Sequence, residues 1–573
     1  MLAVGGRLWL AVSGLSPRLD EFEKIVMSLG LGITLAVLAG CISLVLGFSH
    51  AEIITLCLVF MFFLLSLPNR NLTKLRLKLS IERQYWLPVL LFAVYVAFFI
   101  WYLYVFPFFP NSDPIDVVYH ISITNAILHG VVVAPVTEAG SHILFAYFYS
   151  LFGGRLLDSL RLTTAAIESL SILVAYCMFH RLFRRFKSAA YATIAFSLIF
   201  PADLYYYTAV GAYSNIIGDF YVLLSLFFFL VVLENISKRS ILTMTVIEAF
   251  ALISHISVLI FGAFMICFSL YIFKSHRDML KSYALANVGF LVLPLAAIVI
   301  SPGLVIREIG FISNLNYVGV QDAPVRILQN WFYVYVDLAG PINFGLVLIA
   351  LFTTAAKMRR QWQSILVASW FVILFIVIFF GPNGWRFILL SFLPGAGLIG
   401  LLLLGIEGGI GRLTRWIQIP HARRIFTGIT MICIILVLVS TGSIARITAE
   451  TYLADGNSRQ NQLLIYESMQ WIASNSNSHA AVISVDLYKE YRYLPALFNR
   501  TYDGDYDLPP DNQNPINLLR VEGTMHFNYI AIPTGFSGIQ NYYQCKALRL
   551  VFHNSQVSIF VLTNAASCNV GES

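Results

Sequence analysis

Charge is what this chain has least of. Only 12% of its 573 residues are Asp, Glu, Lys or Arg, against 58% hydrophobic. The net charge of +7 means little as a sum, because basic residues in membrane proteins sort by loop, and no nucleic-acid partner is implied. Zinc-type spacing is missing as well: the seven cysteines include no CxxC and no Cys/His cluster. There is no internal repeat, coiled coil or low-complexity tract, which disfavours a transporter built from repeats. A cleavable signal peptide is not expected either. Arg7, Arg18, Asp20, Glu21 and Glu23 interrupt any apolar core before the first long run near Ile25.

What the chain does have is apolar length. A mean hydropathy of +0.76, with repeated runs of about 20 residues, indicates a polytopic α-helical membrane protein. Spans are expected at about 25–47, 51–67, 86–107, 160–182, 189–209, 213–233, 241–253, 255–273, 283–301, 329–353, 363–380, 386–405 and 425–444, roughly thirteen in all. The stretch "HILFAYFYSLF" is too short to cross and reads as interfacial or re-entrant. Basic residues fall in alternate loops: Arg70 to Arg83, then Arg181, Arg184, Arg185 and Lys187, then Lys238 and Arg239, then Lys274, Arg277 and Lys281, then Lys357, Arg359 and Arg360, then Arg412 to Arg424. The positive-inside rule makes that side cytoplasmic, with the N-terminus inside and the C-terminus outside. The expected location is the plasma membrane, or the endoplasmic reticulum membrane in a eukaryote.

The composition divides the chain near Ile444. Residues 1–445 form the multi-span part, with an exterior loop at about 107–159, and residues 446–573 turn polar and read as a small exterior α/β or α+β domain. There "NQLLIYESMQWIASN" has helical apolar spacing, whereas "AAVISVD", "FNYIAIP", "ALRLVF" and "VSIFVL" read as strands. Cys41, Cys57, Cys177, Cys267 and Cys433 lie in apolar runs and are expected to be inert packing residues. Cys545 and Cys568 bracket two short strands joined by a turn, an arrangement that would close a disulfide outside the cytoplasm.

The stretch "NSDPIDVVYHISITNAILHG" (111–130) gathers the polar chemistry. Asp113 reads as an N-cap, Pro114 as the first helical residue and Asp116 as the acid that completes a capping box. The helix is expected to stop at Gly130 and to lie along the membrane surface, with Ile115, Val118, Tyr119, Ser122, Ile123, Ala126 and Ile127 as its apolar face. Asp116, His120 and Thr124 recur at i, i+4 and i+8 and form a polar stripe that capping does not require. A carboxylate beside an imidazole can take a proton from an attacking hydroxyl. Asp116 is thus the candidate base, with Asp113 and His120 as its neighbours. A divalent cation, Mg2+ or Mn2+, is compatible with Asp113 and Asp116, but two carboxylates with no further ligand do not make a site.

Other exterior candidates are Trp385 and Arg386 in "GPNGWRF", where a guanidinium could hold a phosphate, although an interfacial aromatic and basic anchor accounts for the pair equally well. Asp203, Tyr207 and Tyr213 cluster with other tyrosines about a short turn, where rings could stack on a sugar and an aromatic belt is the default. Asp219 lies just inside a span, and His142 and His255 sit at the ends of apolar segments, where structural roles are commoner. The remaining acids are expected in loops.

In this order of parts the chain resembles the GT-C membrane glycosyltransferases. "DVVYHISITNAILHG" is similar to the family's acidic segment in an early exterior loop, and "AGSHILFAYFYSLFGG" to the segment that follows, without its prolines and tyrosine. Arg386 loosely matches a late-span arginine, and "ESMQWIASNSNSHAAVISVDLYKEYRYLPALFNR" looks like the family's exterior domain. The resemblance implies sugar transfer from a polyprenyl (dolichyl-type) phosphate carrier to a glycan, lipid or protein acceptor on the exterior or lumenal face. Asp116 would then be the general base, in an inverting reaction, with Arg386 and Trp385 at the donor phosphate and Thr124, His142, Asp203, Tyr207 and Tyr213 lining the substrate. The Trp-Trp-Asp-Tyr-Gly motif of oligosaccharyltransferase catalytic subunits and the Asp-Glu pair of protein O-mannosyltransferases are both absent. The alternatives are a polyprenyl-lipid flippase or other multi-span transporter, and a membrane scaffold.

Overall fold

The computed structural model describes residues 1–67, 82–108, 114–131, 136–199, 213–234, 236–300, 303, 340–357, 361–380, 388–414, 420–440, 443–477, 480–485, 487, 491, 493–498, 501–505, 515 and 528–563. Among the described residues eight helices are long and apolar enough to cross a bilayer. The chain is a multi-pass α-helical membrane protein with a β-containing C-terminal region. Eight stands beside an expectation of roughly thirteen. The other expected spans are helices too short to cross unaided, such as Lys238–Leu252 at 15 residues, or fall partly outside the described residues.

The first nine helices are α1 Leu2–Val12, α2 Glu21–Leu46, α3 Ala51–Ser66, α4 Trp86–Val105, α5 Pro114–Leu128, α6 Val136–Phe152, α7 Leu156–Phe183, α8 Phe186–Ile194 and α9 Tyr213–Glu234. Helix α1 was not expected. It lies so close to α2 that a Cβ on Gly6 would sit 1.9 Å from the Ser28 carbonyl oxygen, so only glycine permits the crossing. Beyond it, Asp20 and Glu23 form a capping box: the Asp20 side chain accepts from the Glu23 amide at 2.9 Å and the Glu23 side chain from the Asp20 amide at 3.2 Å. The acids that break up a signal peptide therefore start the first span.

Helices α7 and α9 form the centre, with 83% and 94% of their apolar windows buried, against 11% for the peripheral helix Pro420–Ser440. At one end of the bundle Arg181 of α7 meets α2 and α9. Its Nε donates to Glu23 Oε1 at 2.8 Å, its Nη2 to Glu23 Oε2 at 2.5 Å, and its Nη1 to Glu234 Oε2 at 2.8 Å. Lys187 pairs with Glu407 at this end. Arg161 lies twenty residues earlier on α7, roughly 30 Å away along the axis at 1.5 Å per residue, and marks the opposite end.

The C-terminal region sits on that opposite end. The helix Ser443–Asn475 reaches the close of α4: Gln462 Oε1 accepts from the Phe108 amide at 3.2 Å, Tyr466 stacks on Phe108 at 4.5 Å, and Arg459 lies 4.5 Å over the Tyr104 ring. A five-stranded sheet follows, comprising β1 Ala481–Ser484, β2 Thr501–Asp505, β3 Tyr529–Pro533, β4 Leu548–His553 and β5 Val557–Leu562 in the order β2-β1-β3-β5-β4. Strand β1 runs parallel to β2 and β3, and β5 is antiparallel to β3 and β4. Four strands match the sequence reading. The fifth, β2, reads "TYDGD", and its acids and glycine are poor strand formers that only an edge position tolerates. Cys545 is disulfide-bonded, whereas Cys41, Cys57, Cys177, Cys267 and Cys433 are free; Cys568 lies outside the described residues.

Candidate functional site

Helix α5 runs from Pro114 to Leu128 and ends against Gly130, whose φ of +79° suits a glycine stop. Its orientation corrects the sequence reading. The buried face carries Val117, His120, Ile121, Ile123, Thr124 and Ile127, whereas Ser122, expected on the apolar face, is exposed and Val118, Tyr119 and Ala126 are half-buried. His120 and Thr124 of the polar stripe thus point into the bundle. A buried imidazole requires partners, and α6 supplies one.

His120 Nδ1 lies 3.0 Å from His142 Nε2, with His120 4% exposed and His142 fully buried. The His142 Nδ1 is 2.9 Å from the Glu138 carbonyl oxygen, which can only accept, so Nδ1 carries a proton. In neutral His142, Nε2 is then the acceptor. His120 must donate to it from Nδ1. The backbone therefore fixes the tautomer of His142 and the direction of the bond between the two rings, something no residue in the linear sequence announced. Tyr119 closes the cluster: its hydroxyl donates to Glu138 Oε2 at 3.4 Å and its ring meets His142 edge-on at 6.0 Å.

The helix that presents His142 is itself pinned. The Gly140 amide donates to the Ile253 carbonyl at 2.7 Å and Ser141 Oγ to the Ser254 carbonyl at 2.6 Å. Helix α6 is an unbroken 17-residue helix, with Ile143, Leu144, Phe145, Ala146 and Tyr147 buried in the core. It is not one of the eight spans.

Burial pushes the His142 imidazole down to about 4, against the smaller opposing pull of the Glu138 carbonyl. Its folded value lies below its unfolded value of 6.5. The unfolded chain therefore binds the proton first as pH falls, and the stability present above 6.5 drains away down to about 4. Thermal melts in detergent should show a loss of about 3 kcal/mol across that window, shallower in a His142→Gln variant. Parallel profiles for the two proteins would contradict a buried, neutral His142.

Two further residues join the cluster from the central helices. Tyr213, the first residue of α9, stacks on His120 with ring centroids 6.0 Å apart and is 1% exposed. Arg161 of α7 is 2% exposed and lies within electrostatic reach of the Tyr213 hydroxyl. Deeper in the same helix pair, Glu168 of α7 faces Asp219 of α9, and both are buried, as is Glu248. The expectation that the acids would keep to loops is corrected here. Arg161 and Glu168 stand seven residues apart within α7, and such intramembrane charges are a readable signal of function that the sequence reading passed over.

His120, Thr124, His142 and Tyr213 are thus brought together at one end of the bundle. Asp116 lies on α5 one turn before His120, and its side chain lies outside the described residues. Asp113, Asp203, Tyr207, Trp385 and Arg386 also lie outside them. Among the described residues no group of three or more His, Cys, Asp or Glu is placed to hold a metal ion, and no step below is routed through one.

No family model matches this chain, and no curated protein matches it. Among solved structures, it is similar to an oligosaccharyltransferase of Archaeoglobus fulgidus tethered to an acceptor peptide, at 12% identity and a TM-score of 0.48, over 79% of this chain and 69% of that one. It is also similar to ArnT from Cupriavidus metallidurans bound to undecaprenyl phosphate, at 12% identity and a TM-score of 0.48, over 83% of this chain and 98% of that one. The apo form of the same ArnT gives 10%, 0.47, 82% and 97%. These overlaps are too loose to carry the functional reading, which rests on the residues of this chain.

Proposed function

We propose that the protein is a membrane glycosyltransferase of the GT-C type that moves a sugar from a polyprenyl phosphate to an acceptor hydroxyl, with inversion. The observation that carries this reading is the buried, hydrogen-bonded His120–His142 pair, with His120 one helical turn from Asp116, at the end of the membrane bundle that the helix Ser443–Asn475 also reaches. Asp116 takes the proton of the acceptor hydroxyl as its oxygen attacks the anomeric carbon. The bond from that carbon to the phosphate oxygen breaks, and the phosphate leaves with the electron pair. His120, one turn along the same helix, orients the hydroxyl. Arg386 stabilises the charge gathering on the phosphate. The basic residues at the Arg181 end support reading that end as cytoplasmic, and with it the histidine pair as exterior or lumenal. Purified protein given polyprenyl phosphates that carry radiolabelled hexose or pentose should release the label to water or to an added acceptor; no release from any such donor sinks the reading.

A second reading, a flippase for the carrier lipid or another transporter, draws on the Glu168 and Asp219 pair inside the bundle. Movement of a fluorescent polyprenyl phosphate across proteoliposomes without loss of sugar would favour it over transfer.

A further inference from the structure

Arg161 is a buried cation with too few partners. Its Nη2 donates to the Phe106 carbonyl at 2.8 Å, and its Cζ lies 5.6 Å from the Tyr102 ring centroid. Phe106 is the residue that ends α4, so part of the role of Arg161 is to cap that helix. Capping engages one donor of five. Among the described residues Nη1 has no hydrogen-bond partner, the Tyr213 hydroxyl likewise has none, and no ion pair includes Arg161. The acid nearest in sequence, Asp158, is held by Arg155 at 2.6 and 2.9 Å.

A guanidinium cannot shed its proton to relieve this state, and an uncompensated buried charge costs several kcal/mol. A helix end could be capped far more cheaply by a neutral donor. The orphaned Nη1 and the orphaned phenol lie within electrostatic reach of each other, and the phenol ring rests against His120. Arg161 can only donate and the phenol can donate beside it, so the partner they share is an acceptor, and a buried guanidinium favours one that carries negative charge.

We propose that Arg161 Nη1 and the Tyr213 hydroxyl together bind a phosphate group, one oxygen accepting from each, beside the His120–His142 pair. A guanidinium suits such an oxygen better than an ammonium because its donors are fixed in a plane. This deepens the reading above and rests on it for the identity of the ligand, since a carrier phosphate is what that reaction must hold. It gives the grip to α7, a helix to which the family resemblance assigns no role. The phosphate could come from the lipid carrier or from the aqueous phase.

The test is the thermal stability of the full-length protein in detergent with polyprenyl phosphate, inorganic phosphate or polyprenol. A phosphate should raise the melting temperature and polyprenol should not. A shift with the lipid alone identifies the carrier, and one with both identifies the bare anion. Arg161→Met should abolish the shift without lowering the melting temperature of the ligand-free protein, because it removes an unpaired charge. Tyr213→Phe, which keeps the ring against His120, should weaken phosphate binding roughly tenfold, as for one lost hydrogen bond to a charged group. A shift retained in Arg161→Met, an equal shift with polyprenol, no shift at all, or an Arg161→Met protein that melts several degrees lower or fails to fold would each overturn the site. Sugar transfer without a phosphate-dependent shift overturns the Arg161 hold alone. A shift without sugar transfer from any donor overturns the enzyme reading alone.

Discussion

Asp116→Asn should lower turnover by about 10²- to 10⁴-fold, the range of a general base, while donor affinity changes little. The substitution keeps the size of the side chain and removes its charge, so it separates chemistry from packing. His120→Ala should do less, about 10- to 100-fold, because an orienting acceptor is lost and the base remains. The ordering of the two matters more than either value. His120 is an imidazole held by His142, itself anchored on the Glu138 carbonyl, and an imidazole could take the proton directly. Were that so, His120→Ala would be the more damaging change, and the acid limb of the rate profile would sit in the imidazole range. Turnover of labelled donor by both variants, followed across pH, decides between them; full activity in Asp116→Asn sinks the assignment of the base.

Much of this arrangement was written in the linear chain, and what was not has physical causes. The helix start at Pro114, the stop at Gly130, the hairpin of Leu548–His553 and Val557–Leu562 and the spans of α2, α4, α7 and α9 follow from local rules of capping, turn and hydropathy. The facing of α5 did not follow. In a membrane protein the apolar side of a helix can meet lipid and the polar side the bundle, so amphipathicity gives the stripe and leaves its direction open. Only tertiary contact shows that His120 and Thr124 turn inward, toward a histidine twenty-two residues away in sequence. Helix α1 escaped notice because its 11 residues are too few to cross. It is held by a glycine crossing, a device that leaves no periodic trace.

At the other end of the bundle, Arg181→Ala should be the most destabilising single change on the cytoplasmic side of the proposed topology. Arg181 binds Glu23 through two nitrogens, and the Glu23 side chain is only 3% exposed. The same guanidinium reaches Glu234 at 2.8 Å and the Arg18 carbonyl at 2.5 Å. One side chain therefore ties α2, α7 and α9 together where each begins or ends. Removing it leaves Glu23 as a buried carboxylate whose remaining described hydrogen bond is from the Asp20 amide. Stranding one member of a buried ion pair costs about 3 to 5 kcal/mol. Arg181→Lys should recover only part of this, since an ammonium keeps the charge and loses the two-pronged geometry. Pairing Arg181→Met with Glu23→Gln should recover more, because no buried charge is then left alone. Melting temperatures of the four proteins in the same detergent test this order. If Arg181→Ala melts within a degree of the parent, the cluster is a solvated surface contact and does not hold the helices together.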